Sequence, residues 1–239
     1  MANDSRYAVY FAPAAGSSWW RFGCAWVGRD ALSGDPRPQP MIDGLDLYSL
    51  TAAPRRYGFH ATLKAPFRLR PGVSAALLCT RTAQLARSLT PVPLGELRAS
   101  HRDGFVALRP SADPAPLGAL AEECVRVLDP LRAPITEEDI ARRRASGSLD
   151  ARGEELLRSV GYHLALERFD FHLTLSDPCD EAIAQRLIEA ADAIVEPLNR
   201  SHPLWLDRLS VFVEAAPQAP MMRLADFALG AGARVRAAR

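Results

Sequence analysis

The feature that most constrains this chain is a short segment written twice. Tyr57-Gly58-Phe59-His60-Ala61-Thr62-Leu63-Lys64-Ala65-Pro66 has a counterpart in Asp170-Phe171-His172-Leu173-Thr174-Leu175-Ser176-Asp177-Pro178. At an offset of 112 positions, Phe59 meets Phe171, His60 meets His172, Thr62 meets Thr174, Leu63 meets Leu175 and Pro66 meets Pro178. Both copies alternate polar and apolar residues, the period of a half-buried strand. In the first, His60, Thr62 and Lys64 share one face and Phe59, Ala61 and Leu63 the other. In the second, Asp170, His172, Thr174 and Ser176 oppose Phe171, Leu173 and Leu175. Each predicted strand sinks an apolar face into a core and offers His and Thr opposite. Their Cα atoms stand roughly 6.5–7 Å apart, close enough for both side chains to reach one small anion.

A single His-x-Thr says little in a chain with five histidines. One copy fits a partly buried strand histidine bonded to backbone. That reading accounts for the apolar residues but not for the return of the same polar pair. Two imidazoles with unperturbed pKa near 6.5 can divide base and acid roles. Two threonine hydroxyls can donate to the non-bridging oxygens of a phosphate between them. The chemistry indicated is acid–base attack at phosphorus without a metal, since a metal site calls for carboxylates or further histidines where the motif supplies hydroxyls.

Flanking residues extend the candidate site. Arg56 falls on the His60 face if the alternation runs back through Gly58, Tyr57 adjoins it, and a guanidinium there can bind phosphate by paired hydrogen bonds. Lys64 is the preferred cation from the first strand, and Ser176 continues the polar face of the second. A solvated surface charge is the plain alternative for Arg56 and Lys64. His101, His163 and His202 have no Thr two residues on, and His101 sits at a predicted hairpin tip.

On these residues the chain resembles the 2H phosphoesterase superfamily, named for two His-x-Thr/Ser motifs in two pseudo-symmetric lobes. Phe59–Leu63 and Phe171–Leu175 both match its motif. The segment 55–67, with Arg6-Tyr7-Ala8-Val9-Tyr10-Phe11-Ala12-Pro13, is similar to a bacterial branch associated with phosphonate-metabolism genes, over nearly the full chain. The resemblance implies a phosphoesterase that opens a cyclic phosphodiester on a ribose or nucleotide, a ribose cyclic phosphate of phosphonate breakdown being one option. One of His60 and His172 would activate water and the other protonate the leaving oxygen, with Thr62 and Thr174 on the non-bridging oxygens. Run backwards, the same groups would ligate RNA ends. A non-catalytic protein binding a phosphorylated metabolite or an RNA end is the alternative. Which histidine is the base is left open, as is the oligomeric state.

Composition narrows the partners. With 29 Lys+Arg against 28 Asp+Glu, no global field draws the chain to DNA or an anionic membrane. A small phosphorylated substrate or a short RNA end fits better. Met1–Ser5 shows no signal-peptide pattern and no apolar run reaches about 18 residues, so the expectation is a soluble, cytoplasmic protein. Cys24, Cys79, Cys124 and Cys179 are scattered and read as free thiols. No Gly-x-x-x-x-Gly-Lys-Ser/Thr loop, Gly-x-Gly-x-x-Gly turn, His-Glu-x-x-His or Gly-x-Ser-x-Gly elbow is present, and no cofactor is called for.

In chain order, 6–12 reads as a strand and 17–27 as a helix whose Trp19, Trp20, Phe22 and Trp26 belong to a core. The proline-rich 34–54 reads as a connection, lid or plain linker. After the first motif come a helix over 73–89 and a hairpin, 94–99 with 105–108, turning at Asp103-Gly104. Helices follow over 114–128, from a Thr136 cap, and over 151–160. The second motif is followed by a helix over 181–195, ending before Pro197, and strands over 204–214 and 222–229. The tail 230–239 reads as frayed. Motif strand, helix, strand, strand thus occurs twice. The expected fold is α+β, a single bilobal domain over 1–239 with lobe one at about 1–130 and lobe two at about 131–239. Each lobe would be an antiparallel-rich sheet with helices outside, and the two would face a central cleft.

Overall fold

The computed structural model describes residues 4–145 and 149–230, so the tail 231–239 lies outside the described residues. In chain order the first half gives β1 (Arg6–Phe11), α1 (Ser18–Val27), α2 (Ala52–Tyr57), β2 (Ala61–Arg68), α3 (Ala75–Ser88), a short β3 (Val92–Pro93), β4 (Leu97–Arg102) and β5 (Phe105–Pro110). Then come α4 (Pro114–Leu128), α5 (Glu137–Ala145), α6 (Ala151–Val160), β6 (Leu173–Thr174), α7 (Glu181–Ser201), a short β7 (Trp205–Leu206), β8 (Arg208–Glu214) and β9 (Met222–Ala228).

Local sequence sets these limits. Ser17, Ser74, Asp150 and Asp180 each accept a hydrogen bond from the backbone N–H three residues on, capping α1, α3, α6 and α7. Thr136 does the same for α5, its hydroxyl accepting from Asp139 N at 3.2 Å. Gly28 and Gly161, both left-handed, stop α1 and α6. Asp103 and Gly104, at φ 56° and 85°, make the tight β4–β5 turn. One boundary moves. α7 continues through Pro197 to Ser201, because proline forfeits a single N–H bond and the last turn is held from outside. There the Asn199 side chain accepts from Leu97 N at 3.0 Å and donates to Leu97 O at 2.8 Å.

The fold is α+β with antiparallel sheets, as expected. The strands pair in the orders β2-β1-β8-β9 and β4-β5-β6, with β3 and β7 forming a small ladder of their own. β2, which follows the first motif, therefore shares a sheet with the hairpin β8–β9 from the end of the chain. β6, in the second motif, pairs with the hairpin β4–β5 from the first half. Helix α3 packs on β8 and β9, and α7 on β4 and β5. The two halves thus exchange hairpins, and the sheets do not follow the division near residue 130. The repeated order of elements survives the exchange, which puts the two motifs at equivalent places.

Both motifs are anchored in one core. Phe59, Leu63, Phe171, Leu173 and Leu175 belong to a single buried cluster with Val9, Phe11, Trp19 and Trp26. The Trp26 indole donates to Leu175 O at 2.9 Å, so the aromatic cluster of α1 packs as core and also fastens the second motif. Phe59 packs directly against Gly23 of α1. A Cβ there would stand 1.9 Å from the Phe59 ring. Gly23→Ala is therefore expected to cost about 1–3 kcal/mol by overpacking, read as a lower denaturation midpoint at unchanged slope. A midpoint equal to the parent's would show that Phe59 is not held there.

Candidate active site

The two histidines stand at equivalent positions, each just ahead of its strand. His60 Nδ1–H donates to Gly58 O at 2.9 Å, and His172 Nδ1–H donates to Asp170 O at 2.9 Å. A carbonyl oxygen can only accept, so this bond puts the proton on Nδ1 and leaves Nε2 as the free lone pair of each neutral ring. Gly58 permits it in the first motif, with φ 82° as the chain leaves α2. The Thr62 hydroxyl lies 3.3 Å from His60 Nε2. Thr62 and Thr174 are both half-buried on their strands.

Each ring has its own neighbourhood. Tyr10 of β1 stacks on His60 with centroids 3.8 Å apart and planes at 27°. Burial pushes His60 down to about 4, the Gly58 carbonyl opposes this, and the charge of His172 lowers it further. His172 is also lowered, first by burial, with Arg109 adding to it and Asp170 opposing. Arg109 is 8% exposed and sits on β5 two residues from Ala107, the partner of Thr174, hence on the Thr174 face. It donates through Nε to Asp170 at 3.3 Å and through Nη1 to Ser100 O and Oγ, while its buried Nη2 has no partner. Sequence reading missed Arg109 because only the exchanged hairpin brings it to the second motif.

Four flanking residues are placed differently from expectation. Lys64, the only lysine in the sequence, is 3% exposed and binds Asp129 at 2.9 Å. A register shift between the Tyr10–Thr62 and Val9–Lys64 pairs inserts an extra residue in β2, so Lys64 follows Val9 onto the core side and leaves the His60 face. Arg56 and Tyr57 belong to helix α2, not to a strand. The Arg56 guanidinium bonds Gln218 and the Tyr57 hydroxyl and stands 3.8 Å from Glu214, while the Tyr57 ring is 6.2 Å from His60. Ser176 is 1% exposed, and its hydroxyl accepts from Val106 N at 2.9 Å. Leu175 N and Ser176 N both donate to Val106 O, which ends the alternation after Thr174. His101 is no free tip residue, since its Nδ1 bonds Glu181 at 2.8 Å at the start of α7.

The two motifs are also tied to each other. The Asp177 carboxylate accepts from Ala52 N at 2.7 Å and Ala53 N at 3.0 Å, capping α2, and Asp177 N donates to Leu50 O at 2.7 Å. The end of the second motif thus holds the helix that delivers the first. The segment 34–54 is consequently pinned at this end to the second motif.

A family profile described as "Protein of unknown function (DUF1045)" matches residues 62–222. Two curated relatives align over most of the chain. A protein of Janthinobacterium sp. (strain Marseille) named ribose 1,5-bisphosphate phosphokinase PhnN is 38% identical over 224 residues, covering 91% of this chain and 49% of the relative. One of the same name from Laribacter hongkongensis is 35% identical over 222 residues, covering 93% and 48%. The chain spans about half the length of the curated relatives it matches. Among the described residues, no helix is long and apolar enough to cross a membrane.

Two outcomes are expected from this geometry. Asp177→Ala should cost about 1 kcal/mol through the lost α2 cap, measured by denaturant unfolding, and an unchanged midpoint would contradict the tie between motifs. The depressed His60 ring takes up a proton on unfolding between its folded value near 4 and the unfolded value of about 6.5. Stability should therefore be complete above pH 6.5 and fall by about 3 kcal/mol towards pH 4, a slope reduced in His60→Gln. The salt-bridged carboxylates, Asp129 and Asp139 among them, act below that window because their folded values are lowered from 3.8. A pH-independent midpoint from 7 to 4.5 would contradict a ring held neutral.

Proposed function

The chain belongs to the DUF1045 family, and from that footing we propose that it is a 2H-type phosphoesterase opening a cyclic phosphodiester on a ribose-like sugar. The observation that supports this most is the matched pair of imidazoles, each fixed through Nδ1 to the carbonyl two residues earlier and each two residues from a threonine. One of the two rings is the base: its Nε2 takes a proton from the attacking water. The other is the acid, giving its Nε2 proton to the sugar oxygen as the bond from phosphorus to that oxygen breaks. The product is a phosphomonoester. Return of one proton to solvent from the base and uptake of one by the acid restores the resting pair. Charge gathering on the non-bridging oxygens meets the Thr62 and Thr174 hydroxyls and the unpartnered Nη2 of Arg109.

The relatives' names speak of a phosphokinase acting on ribose 1,5-bisphosphate, but the match covers only about half of each. This chain has no Gly-x-x-x-x-Gly-Lys-Ser/Thr loop to cradle a nucleotide triphosphate. We therefore assign the kinase chemistry of those proteins to the half outside the match and the phosphoester chemistry to the half shared here. A phosphorylated ribose is the substrate class the two halves would have in common, which accords with a place in phosphonate breakdown.

Purified, chelator-treated protein should convert a ribose or nucleoside cyclic phosphate to monoester, followed by phosphorus NMR. His60→Ala and His172→Ala should each lower kcat by at least about 100-fold while substrate still binds. Saturable binding without turnover in the parent would favour the non-catalytic alternative, and full activity in either variant would overturn the roles. With both rings lowered, the bell-shaped profile of kcat/KM should peak below pH 6.5. A plateau from pH 7 to 9 would contradict it.

A further inference from the structure

Arg29, directly after the Gly28 stop of α1, is buried at 7% exposure, and its donors go to no carboxylate. Its Nε donates to Arg55 O at 2.7 Å. Its Nη2 donates to Arg56 O at 2.9 Å and Met221 O at 2.8 Å, while Nη1 meets Met222 Sδ at 3.4 Å. A buried guanidinium is costly unless its donors are met, and here backbone carbonyls meet them. Arg55 and Arg56 lie in the last turn of α2, where carbonyls have no acceptor role left inside the helix. Arg56 O also accepts from Met221 N at 2.8 Å. The guanidinium therefore clamps the end of α2 to the chain entering β9.

The next residue but one is Gly58, whose carbonyl takes the Nδ1 proton of His60. At φ 82° and ψ 171° it has no side chain to fix where that carbonyl points, so the direction is set by its neighbours. Phe59, buried in the core, holds one side, and the two carbonyls bound by Arg29 hold the other. The guanidinium is close as well, since a Cβ on Gly58 would stand 3.9 Å from Arg29 Nη2. If the Gly58 carbonyl turned away, His60 would have an alternative: Thr62 Oγ1, 3.3 Å from Nε2, can accept from an Nε2-protonated ring. In that tautomer Nε2 has no lone pair to receive a proton. The bond to Gly58 O also steadies the protonated ring, so either role of His60 depends on it. The second motif has a parallel device, because the buried Arg109 holds the Asp170 carboxylate and Asp170 O takes the His172 proton. Arg109 keeps Nη2 unpartnered, whereas Nε and Nη2 of Arg29 are both engaged by carbonyls.

We propose that Arg29 is a positioning residue: it holds the end of α2 so that the Gly58 carbonyl keeps His60 in its Nδ1-protonated tautomer. The effect on turnover rests on the phosphoesterase reading, but the effect on the tautomer does not. Nitrogen-15 NMR of the histidine side chains in the full chain, at about pH 7.5 where unperturbed rings are neutral, reads both tautomers. In the parent, His60 and His172 should both be Nδ1-protonated. Arg29→Met, uncharged and of similar reach, should raise the ratio of Nε2- to Nδ1-protonated His60 at least about tenfold, while His172 keeps the parent's pattern. Arg29→Lys, with one ammonium in place of a fork, should fall between. Arg132→Met is the control. That guanidinium is also buried, at 9% exposure, and bonds Ser159 O near the end of α6 at 2.8 Å, with no bond to either motif. Its loss should lower the denaturation midpoint and leave both rings as in the parent. With a nucleoside 2′,3′-cyclic phosphate, Arg29→Met should lower kcat at least about tenfold with KM within about twofold.

A His60 signal in folded Arg29→Met that matches the parent's would overturn the proposal. So would an equal disturbance of both rings, or the same change of His60 in Arg132→Met, since either would mark general loosening. If Arg29→Met does not fold, Arg29→Lys decides the question, and a parent-like His60 there overturns it. A fall in kcat without a tautomer change would also count against this route. Absence of turnover in the parent, alongside a tautomer change confined to His60, would defeat the phosphoesterase reading and leave the positioning role standing.

Discussion

Two hydrogen bonds of 2.9 Å, from His60 Nδ1 to Gly58 O and from His172 Nδ1 to Asp170 O, fix how the two motif imidazoles are presented. An imidazole rotates about two torsions, and neutral imidazole chooses between two tautomers. A bond to the carbonyl two residues earlier removes both freedoms at once. The chain must then turn sharply just before each strand, which Gly58 allows in the first copy. The apolar neighbours Phe59 and Phe171 serve the same end, since a phenyl ring buried in the shared core fixes the Cα on either side.

The exchange of hairpins ties the two motifs into one structure. Two independent lobes would meet at a wet, adjustable interface. Here β8–β9 completes the sheet of the first motif and β4–β5 the sheet of the second, so neither sheet can form without both halves of the chain. Trp26 on Leu175 O and Asp177 on the first turn of α2 add polar fasteners across the same boundary. A relative placement fixed in this way suits a reaction that needs two groups on opposite sides of one phosphorus.

Much of the fold was legible because it is local. The Thr136 cap, the Asp103-Gly104 turn and the apolar faces of the strands follow from neighbouring residues. The exchange was not legible, because strand partners as distant as Ala107 and Thr174, or Tyr10 and Ser210, leave no mark on local patterning. The same limit explains the misplaced flanking residues. Lys64 continues the alternation in the sequence, but one extra residue in β2 turns it to Asp129. Ser176 was read as a cleft residue, yet its hydroxyl serves the buried N–H of Val106. Arg56 was read as strand, while the run from Ala52 to Tyr57 has its first turn capped from the other motif and is helical. Arg109 is the converse case, an unremarked residue in the sequence that the pairing of β5 with β6 carries to the Thr174 face.

The central claim is that both rings attend one phosphoryl group. Nitrogen-15 NMR of the histidine side chains, titrated with pH in the absence and presence of inorganic phosphate, tests it directly. The expected result is Nδ1-protonated neutral tautomers for His60 and His172, both titrating below 6.5, with phosphate raising both values and moving both Nε2 resonances. A response confined to one ring, or Nε2-protonated neutral rings, would contradict it.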